Sequence, residues 1–557
     1  MAKSRNPFHD VGASSSRGYD SAMSSRRGSF ESQMSRSPFV SPFDDSRAPS
    51  RDGSDEELLN TQTVSEKYSI LPTDDLLLNL SDIEADDYLH NPGPSDNDRD
   101  CNIFTKRGFM NLGGLAFFLG GLLILFIVYP AVSYIRRLHP AGSCNSDPMC
   151  ISADLPLLQN IRSTMIDPDT PKSAMSKKTA DGSTWKLVFS DEFNKPGRSF
   201  YPEDDPYFEA VNIWYGVTQD LEWYDPDMIT TKDGYLEITF DNFRNHDLNY
   251  RSGMLQSWNK LCMQGGIIEA SISLPGKGEV SGLWPGFWTM GNLGRPGYAS
   301  TTDGMWPYSY WDQCDVGITP NQSSPDGINF LPGMKLPACT CVGTDHPTAG
   351  KSRSAPEIDV LEASSGYLGP DSTNPIGTIS QSVQIAPFDI WYQPDYNFVE
   401  VYNPQITQLN SYRGGTFQEA FSGLSTLNND WYDGQAYQVY GFEYTPGDQG
   451  NIVWHIGDSK TWKMDARSVG PNGNIGQRVV PKEPMSIIMN LGMSPTFARI
   501  DVAALNALYP VHMRINWIRI YQDPNSHHMG CDPVGYETST YIKKHQKSYQ
   551  NPNYTSW

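Results

Sequence analysis

Residues 355–363 read "APEIDVLEA" and set three carboxylates, Glu357, Asp359 and Glu362, within six positions. Ile358, Val360 and Leu361 fill the gaps, so the stretch reads as a strand with a buried face, not a solvated loop. On a regular strand side chains alternate, which puts Glu357 and Asp359 on one face and Glu362 on the other. A β-bulge between Asp359 and Glu362 takes up one residue and returns Glu362 to the shared face. The outer backbone positions are then about four regular steps apart, ~13 Å, and two Glu side chains leaning inward approach the roughly 5–5.5 Å of a retaining glycosidase pair. An inverting pair needs roughly 6.5 Å or more, to admit a water. In the retaining chemistry one carboxylate attacks the anomeric carbon, while the other protonates the departing oxygen and later deprotonates the acceptor. Acids this close titrate together, and a central Asp lets the cluster hold a proton and pass it between roles. The plain alternative is a solvated face with acids at chance spacing; the apolar residue at every intervening position weighs against it.

The sequence around this strand supplies many more. "WKLVFSDEF" (185–193), "GYLEITF" (234–240), "GGIIEASISLP" (265–275), "QAYQVYGFEYTP" (435–446), "NIVWHIG" (451–457), "PMSIIMNLG" (484–492) and "MRINWIRIYQ" (513–522) are short apolar or alternating runs bounded by Gly, Pro, Asn and Asp. Helical periodicity is scarce, with "ARIDVAALNALYP" (498–510) the best candidate for a short helix. Many strands without alternating helices predict an all-β fold, a two-sheet sandwich or jelly roll whose concave face can hold a chain-like ligand.

An apolar run divides the chain. Residues 108–135, "GFMNLGGLAFFLGGLLILFIVYPAVSYI", carry no charge and are long enough to cross a bilayer with some tilt. About a hundred polar residues precede the run, so it is not a cleaved signal peptide. Lys106 and Arg107 flank one end and Arg136 and Arg137 the other, which leaves the positive-inside rule near a tie. Cysteine usage breaks it: Cys101 precedes the run, and Cys144, Cys150, Cys262, Cys314, Cys339, Cys341 and Cys531 follow. That asymmetry predicts a single-pass type II protein of the secretory pathway or plasma membrane, with its C-terminal part lumenal or extracellular. Sequons at Asn321 and Asn553 agree with glycosylation there, although Asn79 in the tail heads one too. Cys144 and Cys150 are close enough for a small loop, Cys314 is expected to pair with Cys339 or Cys341, and an odd thiol is left over or pairs between chains. The organisation expected is a disordered cytosolic tail (1–107), a transmembrane helix (108–135), a lumenal stem (136–184), the β domain (185–523) and a C-terminal tail (524–557).

Within the tail, Asn6-Pro7-Phe8 is like a sorting signal and Arg26-Arg27-Gly28-Ser29 like a kinase site, which would imply trafficking or kinase partners. Cys101 stands where palmitoylation occurs, though an idle thiol explains it as well. The formal net charge of −22, from 64 acidic against 42 basic residues, argues against nucleic acid as a partner.

"EIDVLEAS" resembles the catalytic signature of glycoside hydrolase family 16 in its bulged form. "WKLVFSDEFN" is similar to that family's opening strand, "QGGIIEASISLPGKGEVSGLWPGFWTMG" to the segment ahead of its active site, and "MRINWIRIYQ" to its closing strand. Anchor, tail and lumenal domain together resemble the fungal membrane-anchored members associated with cell-wall β-1,6-glucan synthesis, and the insertions "DGMWPYSYWDQCDVGITPNQSS" and "CTCVGTD" fit that branch. The resemblance implies a concanavalin-like jelly roll acting on β-glucan, with Glu357 as nucleophile, Glu362 as acid/base and Asp359 assisting between them. It implies no cofactor; a structural calcium, carried by some members far from catalysis, is left open.

With 14 Trp and 29 Tyr, aromatics make up 12% of the chain. Sugar rings stack their C–H faces on indoles, and Trp258, Trp284, Trp288, Trp306 and Trp311 lie in segments expected near the cleft; core packing is the competing role for each. "MWPYSYW" (305–311) reads equally as a packed loop tied by Cys314. No metal-ligand cluster is evident, His527-His528 being an isolated pair, and "NLGRPG" (292–297) reads as a turn. Three functions compete: a retaining β-glucan hydrolase or transglycosylase, a non-catalytic glucan-binding scaffold, and an adaptor working through its tail. The complete set of three acids favours the first, since a pure binder has no need of it.

Overall fold

The computed structural model describes residues 106–132, 164–322, 330–367 and 372–557. The tail motifs, Cys101, Cys144 and Cys150 lie outside the described residues.

Residues Lys106–Leu123 form an α-helix that continues through a π-helical turn, Ile124–Val128. Leu112–Val132 is a span of 21 residues with mean hydropathy 2.5. At 1.5 Å per residue it is about 30 Å long, the thickness of a bilayer's hydrocarbon core. Phe117, Phe118 and Phe126 are exposed among the described residues, which suits lipid rather than a protein interior.

The β domain is built from two antiparallel sheets, ten- and nine-stranded among the described residues. The strands that matter below are β1 (Thr184–Asp191), β2 (Met254–Gln256), β3 (Gly266–Ser273), β4 (Trp284–Gly291), β5 (Glu357–Tyr367), β6 (Pro375–Ile385), β7 (Glu419–Thr426), β8 (Gln438–Thr445), β9 (Asn451–Ile456), β10 (Ser459–Asp465), β11 (Met485–Gly492) and β12 (Val511–Gln522). One sheet runs β1-β12-β3-β8-β9-β10, and the other β7-β6-β5-β4-β11-β2. Consecutive strands pair in β7-β6-β5-β4 and β8-β9-β10, while β1-β12-β3-β8 and β4-β11-β2 join strands far apart in sequence, the crossovers of a jelly-roll sandwich, as the strand pattern predicts. The expected short helix forms over Val502–Asn506, where Asp501 caps its start by accepting from the Ala504 amide at 3.0 Å.

Alternation along the strands decides what enters the core. Ile268, Ala270 and Ile272 of β3 and Phe442 of β8 face Phe287, Ile358, Ile379, Val383, Phe421 and Met489 of the second sheet. Trp454 and Trp462 stack between them, centroids 4.1 Å apart, both fully buried. Glu357, Asp359 and Glu362 project from the opposite side of the second sheet, away from this core.

The folded domain is wider than the 185–523 expected. Within the presumed stem, Ser176–Lys178 adds a strand to β1, and the Ala180 amide donates to Glu443 at 2.7 Å. Beyond residue 523, Asn292 donates to Thr538 Oγ1 at 2.7 Å and Tyr549 to the Leu293 carbonyl at 2.6 Å. Both flanks are therefore parts of the domain rather than tethers, because each satisfies polar groups that the sandwich leaves open. Cys314 bonds Cys339, one of the two expected partners, and Cys341 is unpaired and exposed. A second bridge that the sequence did not disclose, Cys262–Cys531, ties the C-terminal segment to the strand region before β3. Asn553 is exposed and Asn321 half-buried.

Because Cys262 and Cys531 are 269 residues apart, their bridge restricts a long loop of the unfolded chain. Replacing both by Ser is expected to lower stability by about 2–5 kcal/mol. Calorimetry on the purified variant checks this; an unchanged melting temperature refutes it.

Candidate active site

The carboxylate strand is bulged where the spacing required. Glu357 lies opposite Gln384, Asp359 opposite Ser382 and Glu362 opposite Ser380, with the register shift between Asp359 and Glu362. Five steps along β5 thus match four along β6, and the three acids share one face. Against β4, Asp359 pairs with Trp288 and Glu362 with Gly286, so the even-numbered residues of β4 join that face.

A bulge takes backbone carbonyls off the ladder, and buried carbonyls need donors. Here the donors come through the core. Trp454 Nε1 of the opposite sheet donates to the Asp359 carbonyl at 2.8 Å. Gln381 Nε2 donates to the Val360 carbonyl at 3.2 Å, and Thr461 Oγ1 donates to Gln381 Oε1 at 2.7 Å. Trp454, Gln381 and Thr461 are all fully buried.

Each acid has its own donors. Trp306 Nε1 donates to Glu357 Oε2, and Trp284 Nε1 to Glu362 Oε1 at 2.9 Å. Asp359 Oδ2 accepts from Ser382 Oγ at 2.7 Å and Gln384 Nε2 at 3.1 Å. Ser382 also lies 3.4 Å from Glu362 Oε2, but its single proton goes to the nearer Asp359. Asp359 is 1% exposed, whereas Glu357 and Glu362 remain half-buried and open to the surface.

Burial, reinforced by the neighbouring Glu362 charge, pushes the Glu357 carboxyl up to about 8 against the bonds from Trp306 and Asp359. Burial and the Asp359 charge push Glu362 up to about 8, against the Trp284 and Ser382 contacts. Burial and the Glu357 charge raise Asp359 well above the usual carboxylate range. Asp359 is thus the acid that keeps its proton, and it shares a hydrogen bond with Glu357. An ionised Glu357 is held by two donors, an indole N–H and a carboxylic acid, and Glu362 has the Trp284 indole. The cluster can carry a nucleophilic carboxylate and a protonated acid side by side.

The five tryptophans separate into two groups. Trp284, Trp288 and Trp306 surround the acids, with Trp284 stacked on Phe497 at 4.1 Å and Trp288 Nε1 donating to Asn490 Oδ1 at 2.8 Å. Trp258 makes packing contacts: it stacks on Tyr549 at 5.5 Å, lies under the Arg295 guanidinium and donates to the Asn292 carbonyl. Trp311 is packed likewise: its Nε1 donates to Asp315 at 2.8 Å and its ring lies 2.3 Å from where a Gly476 Cβ would stand. The sequence reading missed Ser382, Gln384, Asn490, Trp454 and Gln381. Asn490 carried a signal, a lone amide in "SIIMNLG". Among the described residues no cluster of His, Cys, Asp and Glu could hold a metal ion.

These shifts fix the sign of a pH effect. Folded-state values of about 8 exceed the ordinary 4.5, so the folded protein binds these protons more tightly than the unfolded chain does. Their stabilising contribution is complete below about 4.5 and is lost as pH rises through about 8. The melting temperature is expected to fall between pH 5 and pH 8.5, and Glu357→Gln with Glu362→Gln to flatten that slope, as thermal melts across the range will read; an identical slope in the double variant refutes the assignment.

The family model for "Beta-glucan synthesis-associated protein SKN1/KRE6/Sbg1" matches residues 76–557. Beta-glucan synthesis-associated protein KRE6 of Saccharomyces cerevisiae is 47% identical over 535 residues, covering 94% of this chain and 73% of the yeast protein. The SKN1 protein of the same yeast is 48% identical over 505 residues, covering 86% of this chain and 64% of its own length. Among solved structures, a non-specific endo-β-1,3(4)-glucanase of family GH16 overlaps 62% of this chain and 98% of its own with 18% identity and a TM-score of 0.37. The laminarinase catalytic domain of Thermotoga maritima overlaps 61% and 98%, with 18% identity and a TM-score of 0.35. By the extent of the family match and the identity to the yeast proteins, the chain belongs to the SKN1/KRE6/Sbg1 family of beta-glucan synthesis-associated proteins.

Proposed function

We propose that this protein serves cell-wall β-glucan synthesis, of the β-1,6-linked class, as a retaining glycosidase-type enzyme that transfers glucan rather than degrading it. The observation that carries the reading is the bulged strand that lines up Glu357, Asp359 and Glu362, each with its own donors, on the open face of the second sheet. Glu357 attacks the anomeric carbon, the glycosidic C–O bond breaks, and Glu362 delivers its proton to the departing oxygen. A sugar hydroxyl then gives its proton to Glu362, attacks the same carbon and releases Glu357. Asp359 keeps its proton and stabilises the Glu357 carboxylate until it attacks. An acceptor held beside Trp284 or Trp288 has a high effective concentration and competes with water.

A non-catalytic scaffold is the second reading, favoured by one observation: the relatives' names speak of association with synthesis, not of cleavage. Glu357→Gln and Glu362→Gln separate the two. Each is expected to abolish formation of longer products from a labelled β-glucan oligosaccharide while the protein stays folded. Glu362→Gln should still react with substrates bearing a good leaving group, which need no proton in the first step. A Glu357→Gln protein that restores normal wall glucan in a null strain refutes the enzyme and leaves the scaffold.

The anchor and the site together support work at a membrane of the secretory pathway or cell surface, with the β domain on the lumenal or outer side. Two disulfides in that domain support this orientation. Protease added to sealed microsomes is expected to remove the first hundred or so residues and spare the β domain; digestion of the β domain refutes the orientation.

A further inference from the structure

A small third sheet carries a surface that the proposed chemistry does not use. Ile213–Trp214 pairs antiparallel with Glu222–Tyr224, which pairs parallel with Tyr250–Ser252. Trp214 stands directly opposite Trp223, and Trp223 opposite Arg251, so these three side chains form one row across one face. Ile213, Tyr224 and Ser252 take the other face and are buried.

The row is both held and open. Trp214 Nε1 donates to the Asp220 carbonyl and Trp223 Nε1 to Asn212 Oδ1, each at 2.7 Å, so both indoles are fixed in orientation. His246 backs Trp223 in a parallel stack at 3.7 Å, and Phe243 carries the row onward, its ring 4.2 Å from the Arg251 guanidinium. Trp214 is 46% exposed and Phe243 52%. Ordering large aromatic side chains at a solvent face costs entropy and leaves apolar surface in water, although the indole N–H groups are bonded.

The sheet continues the edge of the candidate active site. Tyr250–Ser252 runs through Gly253 into β2, the last of the named strands of the second sheet, and Gly253 is required there because a Cβ would lie 2.4 Å from Ile229. On its buried face, Tyr224 accepts from Asn490, the residue that holds Trp288. Tyr215, next to Trp214, is pushed up first by burial and then by the Glu357 charge.

We infer that the Trp214–Trp223–Arg251 row is a second binding surface for a β-glucan chain, a platform that receives the polymer where it leaves the cleft. Flat indole faces take the C–H faces of successive sugar rings, and Asn212 and Arg251 lie where ring hydroxyls need partners. The inference rests on the glucan reading above, but it does not need turnover.

The test therefore uses full-length protein in detergent carrying Glu357→Gln, with two probes: linear β-glucan polymer, β-1,3- or β-1,6-linked, and a short oligosaccharide of the same linkage that fills only the cleft. Adding Trp214→Ala and Trp223→Ala is expected to weaken polymer binding about tenfold and to leave oligosaccharide binding within about twofold. Trp391→Ala removes another exposed indole, on the loop after β6 at the opposite flank of the sheet, and is expected to change neither. Unchanged polymer binding overturns the inference. So does an equal loss for both probes, an equal effect of Trp391→Ala, or a parent that binds no polymer. A parent that binds polymer through this row, while wild-type protein never elongates a labelled chain, upholds the platform and refutes the enzyme.

Discussion

The indole N–H of Trp454 reaches across the core to the carbonyl of Asp359, and the candidate site depends on that bond. A strand that gains one residue must leave peptide groups off its ladder, and a buried carbonyl without a donor costs about 1–3 kcal/mol. Trp454 from the facing sheet and Gln381 from the neighbouring strand β6 supply the donors, and Thr461 orients Gln381. Without the bulge, Glu362 points into the apolar core and Glu357 keeps only Asp359 beside it. One extra residue, and the core polar groups that accept it, convert an ordinary strand into a row of three acids.

Three acids so close are costly in the folded state. Burial raises every one of them, and each raises its neighbour. The structure does not offset this with a cation; among the described residues, no ion pair with Lys or Arg reaches Glu357, Asp359 or Glu362. It distributes neutral donors instead: indoles to the two outer acids, a hydroxyl and an amide to the central one. Neutral donors steady a carboxylate without holding it permanently ionised, so protons can still move through the cluster. An arginine here would lock the charge and end the exchange of roles on which acid/base chemistry depends.

Much of this was legible in the residues. The spacing of Glu357, Asp359 and Glu362 demanded a bulge, and the bulge is there, with the offset expected against β6. The sandwich followed from short alternating runs, because period two is a local property that sequence displays directly. What was hidden is non-local. Trp454 reads as one more core aromatic in "NIVWHIG", and only the pairing of two distant sheets shows where its N–H points. The same limit explains the tryptophans: Trp258 and Trp306 look alike in sequence, yet one packs the C-terminal segment and the other holds Glu357. Trp214 and Trp223 were passed over because they sit outside the segments that resemble the family motifs, although their register makes them neighbours.

The C-terminal segment shows why the site cannot be assigned to the sandwich alone. Trp306 reaches Glu357 from an irregular loop, and loops hold their shape only where other groups cover them. Tyr541 belongs to the same buried cluster as Met305, Leu336 and Met290, against which Trp306 and Trp288 pack. Trp557 lies against Tyr541 and Tyr549, with the Lys335 ammonium 3.6 Å from its ring centre. Arg353, four residues before the acid strand, is paired with Glu483 at 2.8 Å and also donates to the Glu537 carbonyl. A buried pair of this kind is weak evidence for stability but strong evidence for register, because either partner left alone is a buried charge. The last residues of the chain therefore set the positions of the loop and strand that bring an indole to Glu357, and the Cys262–Cys531 bridge holds them where that is done.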